Sequence, residues 1–331
     1  GNEMVHQYGS IEMNPGVFIP GNADANGICN TTVMGRAASI RVAPNAVCST
    51  TGNQLQRRLF TLLDPTGALG GAKYGFIETW DSNGTRSYNG LLFSVVKRVS
   101  RNFSMTANYT WSHCIGDQAN NFLNSAPGLG AFNDPNNRRY DRGNCAGTGD
   151  DIRHIANSTA VIRTPHFTNR SANAILGGWS VSGILRARSG FWQSALVNGE
   201  TSGGAHNINN QRANVVSSNV YGNQCKTDLR SSAPTCGWYN RSAFAVPTYG
   251  TLGNAGRNNL LGPGSWAIDV GLNRVFRITE GQTVELRMES SNILNHANFN
   301  APNSNINSTL FGRLTSAADP RIIQFGMRYT F

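Results

Sequence analysis

Phe103-Ser104-Met105-Thr106-Ala107-Asn108-Tyr109-Thr110-Trp111-Ser112 alternates apolar with small polar side chains over ten consecutive positions. A period of two is the period of a strand, and this run specifies one with an apolar face and a wet face. The end of the chain repeats it: Ile323, Phe325, Met327, Tyr329 and Phe331 point one way, Gln324, Gly326, Arg328 and Thr330 the other. Two further runs agree. Trp266, Ile268, Val270 and Leu272 alternate with Ala267, Asp269, Gly271 and Asn273, and Val284, Leu286 and Met288 alternate with Glu285, Arg287 and Glu289, so that here the polar faces carry charge. Residues 74–81, 88–99, 152–163 and 179–188 read as further strands, which makes eight.

The connections alternate in length. Those at 100–102 and 278–282 are short and that at 164–178 is intermediate, whereas 113–151, 189–265 and 295–320 are long and rich in Asn, Gly and Ser. Tight turns at one end and long loops at the other describe an up-and-down meander. Strands of about ten residues with polar opposite faces and one-sided loops are the signature of a transmembrane β-barrel. In hydrocarbon every backbone group must find its partner within the protein, so apolar side chains face lipid and polar ones the lumen. Trp80, Trp111, Trp179, Trp266 and Tyr329 are then candidates for the interfacial girdles. The competing reading is a soluble β-sandwich with these aromatics in its core, but structureless loops of such length are uncommon in compact domains.

Composition points the same way. The chain has 331 residues, 28 basic and 18 acidic side chains, a formal charge of +10 and only 14% charged residues. It holds 37 glycines and 40 asparagines but only three lysines and seven glutamates, too few of the residues that clothe exposed helices. No apolar run approaches the roughly 18 residues of a spanning helix. The six cysteines fall into three local pairs, Cys29 with Cys48, Cys114 with Cys145 and Cys225 with Cys236. Disulfides of an oxidising compartment fit this pattern, with free thiols the alternative; C-x-x-C spacing is absent, which argues against a zinc ribbon or thioredoxin-like site.

Several stretches carry a family resemblance. Ser87-Tyr88-Asn89-Gly90-Leu91-Leu92-Phe93-Ser94-Val95-Val96-Lys97-Arg98, followed by 103–113, resembles the C-terminal barrel of the Oar-like TonB-dependent outer-membrane receptors of Acidobacteria, a carboxypeptidase-regulatory-like family. Asp134-Pro135-Asn136-Asn137, Tyr140-Asp141-Arg142-Gly143 and Asp151-Ile152-Arg153-His154 resemble its loop-to-strand passage, and Gly178-Trp179-Ser180-Val181-Ser182-Gly183-Ile184 its GGW strand. Asn292-Ile293-Leu294-Asn295-His296-Ala297-Asn298-Phe299 and Phe311-Gly312-Arg313-Leu314-Thr315 resemble its closing elements. The resemblance implies a longer polypeptide with a signal, a carboxypeptidase-regulatory-like domain, a plug that contacts TonB and a barrel of about 22 strands. The expected fold is therefore all-β: an antiparallel up-and-down transmembrane barrel portion, about eight or nine strands of a larger wall, with long extracellular loops and short periplasmic turns. Residues 1–73 read as a loop-rich N-terminal segment and 74–331 as the barrel strands, ending in a strand whose Met327, Tyr329 and Phe331 resemble the outer-membrane assembly signal.

The motifs of hydrolases, metalloproteases, P-loop enzymes and dinucleotide-binding folds are absent, and the six histidines are scattered, so neither an enzyme nor a cofactor is expected. Asp134, Asp141, Asp150 and Asp151, with Asn133, Asn136 and Asn137, could supply oxygens to calcium, although Arg138, Arg139, Arg142 and Arg153 offer ion pairs instead. Arginines at 153, 163, 186, 188, 274, 287 and 328 are spread along strands rather than clustered as nucleic acid would require. They fit a lumen, paired with Asp269, Glu285 and Glu289 or facing an anionic solute. Ligand contacts are expected from the longest loop, which concentrates Trp192, Arg212, Trp238, Tyr239, Arg241 and Tyr249; the alternative is that these aromatics pack on one another. The expectation is TonB-dependent uptake at the bacterial outer membrane of an unidentified small solute, peptide or saccharide. The partners implied are outer-membrane lipid, upstream plug and barrel strands, TonB through the plug, and the barrel assembly machinery. An exported adhesive or self-assembling β protein and a passive porin are the alternatives.

Overall fold

Eight long strands, each hydrogen-bonded to its neighbours in sequence, form one antiparallel sheet: β1 (Asn2–Glu12), β2 (Glu78–Ser100), β3 (Phe103–Gly116), β4 (His154–Arg163), β5 (Trp179–Arg188), β6 (Ser265–Arg277), β7 (Thr283–Ser291) and β8 (Ile322–Thr330). The two-residue strand Gly143–Asn144 adds to the end of β3. The structure, a computed structural model, describes every residue except 101, 118–132, 135, 146–150, 166, 200, 204–209 and 223–236, and only the backbone of 2–10, 78, 80, 81, 83, 98–100, 198 and 210. The pair Cys225 and Cys236, Asp150 and the Trp80 side chain therefore lie outside the described residues.

The register assembles the alternating patterns into faces. Phe103, Ile162, Val181, Leu272, Met288 and Phe325 stand directly opposite one another across six strands, and Phe93, Tyr109, Ala156, Ala187 and Trp266 form a second such row. This face is open: Phe93 is 56% exposed, Phe325 76% and Met327 75%. Large apolar side chains left uncovered over a whole sheet face suit hydrocarbon rather than water, where each would lose roughly 1.5–3 kcal/mol of burial. The aromatic side chains sit towards its two ends, Trp111 and Trp266 near the long loops, Trp179, Tyr329 and Phe331 near the turns. The opposite face holds Ser94, Asn108, Asn157 and Arg186 in one row and Glu285 opposite Arg328 in another. β1 and β8 are the two edges of the sheet, which does not close on itself.

Two features differ from the sequence reading. Residues 74–81 and 88–99 are not two strands: β2 runs through Asn83-Gly84 without turning. The register against β1 shifts around Gln7 opposite Gly84, so the Asn-Gly pair makes a bulge, which a period-two pattern cannot distinguish from a turn. Second, the stretch read as loop-rich contributes wall strand β1, which pairs with the half of β2 nearest the long loops. The connection at 164–178 contains a short helix, Arg170–Leu176, with Asn169 as its N-cap.

Connections 13–77, 117–153, 189–264 and 292–321 all leave the same end of the sheet, and they hold the buried apolar cores. In the first, Ile19, Ala23, Val33, Ile40 and Leu62 pack around the Cys29–Cys48 disulfide. The third and fourth share a core of Val197, Ala213, Tyr239, Phe244, Leu260, Ile306 and Phe311. The loops are thus a folded cap, while the wall buries little on either face.

Candidate functional site

The cap is anchored to the wall and to itself by the motifs singled out in the sequence. Asp141 is buried, and its carboxylate pairs with the buried Arg212 at 3.3 Å while accepting hydrogen bonds from Asn133 Nδ2 (2.8 Å) and the Asp134 amide (3.0 Å). The Arg212 guanidinium lies over the Tyr140 ring at 3.8 Å, and the Tyr140 hydroxyl donates to the Gly253 carbonyl at 2.6 Å. Arg257 donates to the Asp141 carbonyl at 2.8 Å; burial pulls its pKa down to about 10, against the pull of the Asp141 charge. Burial likewise raises the Tyr140 phenol, opposed by the Arg212 charge. Gly143 must be glycine on steric grounds, because a Cβ there would stand 2.3 Å from the Arg257 carbonyl oxygen. The Asp141-Arg142-Gly143 motif therefore clasps two loops together.

The closing motif works the same way. Asn292, in the left-handed region at φ 48°, bridges its own loop by accepting from the His296 amide (3.0 Å) and donating to the His296 carbonyl (2.9 Å). Its amide donates to Asp269 Oδ1 on β6 at 2.9 Å. Asn298 Oδ1 accepts from the Trp266 amide at 2.8 Å, and the His296 ring lies against that of Trp266, tilted, at 4.2 Å. At β4, Asp151 accepts from the Cys114 amide at 3.2 Å and pairs with Arg153 at 3.6 Å, beside the Cys114–Cys145 disulfide. The carboxylates considered for calcium thus serve different partners. Asp141 faces Arg212, Asp151 faces Arg153, and Asp134 closes its own turn by accepting from the Asn136 amide.

The six side chains expected to contact ligand are not gathered on one surface. Tyr239 lies in the cap core with its hydroxyl donating to Gln193 Oε1 at 3.0 Å, and burial drives its pKa above the ordinary phenol value. Trp238 donates to the Leu261 carbonyl at 2.8 Å, Arg241 to the Phe244 carbonyl at 2.8 Å, and Tyr249 meets Phe18 edge-on at 5.9 Å. Arg212 is in the clasp, and Trp192 lies beneath the Arg153 guanidinium at 5.5 Å.

On the polar wall Arg186 pairs with Asp269 at 2.5 Å, and Arg287 bridges Glu285 (3.1 Å) and Glu289 (3.7 Å), the pairs expected of a lumen. Arg274 departs from that expectation. It stands in the apolar row opposite Leu286, over Trp179 and Phe276, and donates to the carbonyls of Asn173 and Ile175 at the end of the short helix. Where this wall meets the 292–321 loop lies a pocket of about 350 Å³ lined by Asn157, Arg186, Arg188, Asn298, Phe299 and Asn300 among others. Of this set the two arginines stood out in the sequence as strand arginines, and Asn298 and Phe299 as part of the closing motif; Asn157 and Asn300, among 40 asparagines, gave no signal.

An antiparallel meander with an uncovered apolar face, a charged opposite face and a cap of loops at one end defines an outer-membrane β-barrel protein. A family model described as an outer membrane beta barrel domain matches residues 1–324, and the chain belongs to that family and to that membrane. No curated protein matches it.

Proposed function

We propose that the chain is the C-terminal wall of a TonB-dependent receptor that takes up a small solute, peptide or saccharide, with its capped end outside the cell. The observation that carries this reading is that the described residues of all four long connections form a cap at one end of a sheet with a polar, arginine-bearing face. A simple pore needs no such packed cap, while a receptor needs a rigid platform for recognition at its mouth. A plug and further strands from the same polypeptide would complete the channel, and energy would arrive from TonB through the plug. The neighbouring stretches that resemble Oar-like receptors support the same assignment.

Uptake in cells that carry the complete receptor tests it, with TonB present and deleted. Solute accumulation that collapses without TonB is the expected result. Flux indifferent to TonB assigns a passive porin. A protein that stays soluble without detergent and associates through the open edges of β1 and β8 assigns the adhesive alternative, for which those unpaired edges are the favouring observation.

A further inference from the structure

The pocket between the polar wall and the 292–321 loop has a chemistry of its own. Its lining includes two guanidinium groups and no carboxylate. Register places Asn157 beside Arg186 on one wall face, with Ile155 beside Arg188 on the same face. Arg186 spends one nitrogen on Asp269, whose other oxygen accepts the Asn292 amide, and the Arg186 side chain is still 61% exposed. Arg188 donates from Nε to Ser265 Oγ at 3.0 Å and rests on the Phe191 ring at 4.6 Å, an arrangement that fixes the plane of the guanidinium. Its two terminal nitrogens make no hydrogen bond to the described residues. Asn300 is held by Ser316 Oγ at 2.9 Å and Asn298 by the Trp266 amide, so the amides on the loop side are also positioned in advance.

We infer that this pocket is a binding site for a small hydroxyl-bearing carboxylate of the uronic-acid class. An oriented guanidinium matches the two oxygens of a carboxylate, amides match hydroxyls, and Phe299 offers an apolar wall to a ring face. The volume lies at the lower end of that of ligand pockets, which suits one sugar-sized unit. The inference deepens the uptake reading and rests on it for physiological meaning, although binding itself can be measured independently.

The test is titration of the complete detergent-solubilised protein with glucuronate, glucose and glucose 6-phosphate, followed by ligand-observed NMR or calorimetry. Glucuronate should bind saturably and glucose at least tenfold more weakly. Arg188→Gln should weaken glucuronate at least tenfold and Arg188→Lys less, while Arg328→Gln, on the same face near the turns, should change it less than twofold. Retained protection of the cap against protease shows that each variant is folded. Absence of saturable glucuronate binding, equal affinity for glucose, tighter binding of the phosphate, or an equal loss in Arg328→Gln would each overturn the inference. TonB-dependent uptake could survive any of those results, and a pocket that binds glucuronate could survive loss of TonB dependence, so the two failures are distinguishable.

Discussion

Asp141→Asn is the sharpest perturbation of the cap. It keeps the shape of the side chain and a carbonyl oxygen that can still accept from Asn133 or the Asp134 amide, so what it removes is the charge. Arg212, 2% exposed, then remains buried without its anion, and Arg257, already pulled down by burial, loses the charge that supported it. Removing one partner of a buried pair costs about 3–5 kcal/mol. At about 1.4 kcal/mol per factor of ten, the clasped loops should open between about a hundred and several thousand times more often. Native-state hydrogen exchange reads this directly, through the amide of Ala213, bonded to the Ala195 carbonyl, and that of Ala255, bonded to the Ala213 carbonyl. Wall amides such as that of Leu272 serve as the internal reference. Arg212→Met combined with Asp141→Asn should be milder than the sum of the two single changes, because the double variant leaves no lone charge. Exchange at Ala213 altered less than threefold by Asp141→Asn, or strictly additive effects, would refute the clasp.

Non-reducing peptide mapping should recover Cys29–Cys48 and Cys114–Cys145, with Cys225–Cys236 as the third pair; cross-links over separations of 19 and 31 residues should each stabilise by about 3–4 kcal/mol, and free thiols at Cys114 would contradict this. Phe331, 91% exposed and stacked on Tyr329 at 5.7 Å, should place its ring at the lipid interface, and Phe331→Asp in the complete protein should lower outer-membrane yield without lowering synthesis. Unchanged yield would argue against an assembly role. Asp64 is held below its ordinary pKa of 3.8 chiefly by the Gly71 amide, aided by the Leu69 amide and the Thr66 hydroxyl and opposed by burial. A depressed carboxylate contributes stability that is complete above its unfolded pKa and lost as pH falls through the folded one. Acid below about pH 4 should therefore loosen residues 64–71, as limited proteolysis would show, and Asp64→Asn should abolish that pH dependence.

The wall was legible because its side chains answer to two environments that differ at every other residue. From 103–112, 266–273, 284–289 and 323–331 alone, the strand faces could be anticipated, since a slip of one residue would turn Phe325 and Met288 towards the polar side; which residue stands opposite which came from the structure. The reading failed where local chemistry is ambiguous. Asn83-Gly84 suits a hairpin turn or a bulge equally, and only the presence of β1 alongside decides for the bulge. Arg274 read as lumenal because arginine is polar. The carbonyls at the end of the 170–176 helix and the rings of Trp179 and Phe276 let it stand on the apolar face.

Several residues of the motifs that carry the family resemblance lie where loops meet one another or the wall, a position that their sequence does not disclose. Asp141 and Gly143 hold loop to loop, Asp151 holds loop to β3, Asn292 and Asn298 hold loop to β6, and Gly312, at φ 74°, lets the closing loop reach the Tyr239 backbone. Most of them satisfy a buried charge, a left-handed turn or a close backbone approach, requirements that only a few residue types meet, while Asn298 supplies an acceptor to the Trp266 amide. Such positions report how the cap is built, and a receptor could keep all of them while changing its solute. On the proposed uptake function, selectivity would depend on side chains free to vary without unseating the cap. Arg188 is one: its exchange would disturb a single hydrogen bond to Ser265 and a ring contact, yet would change the charge of the pocket.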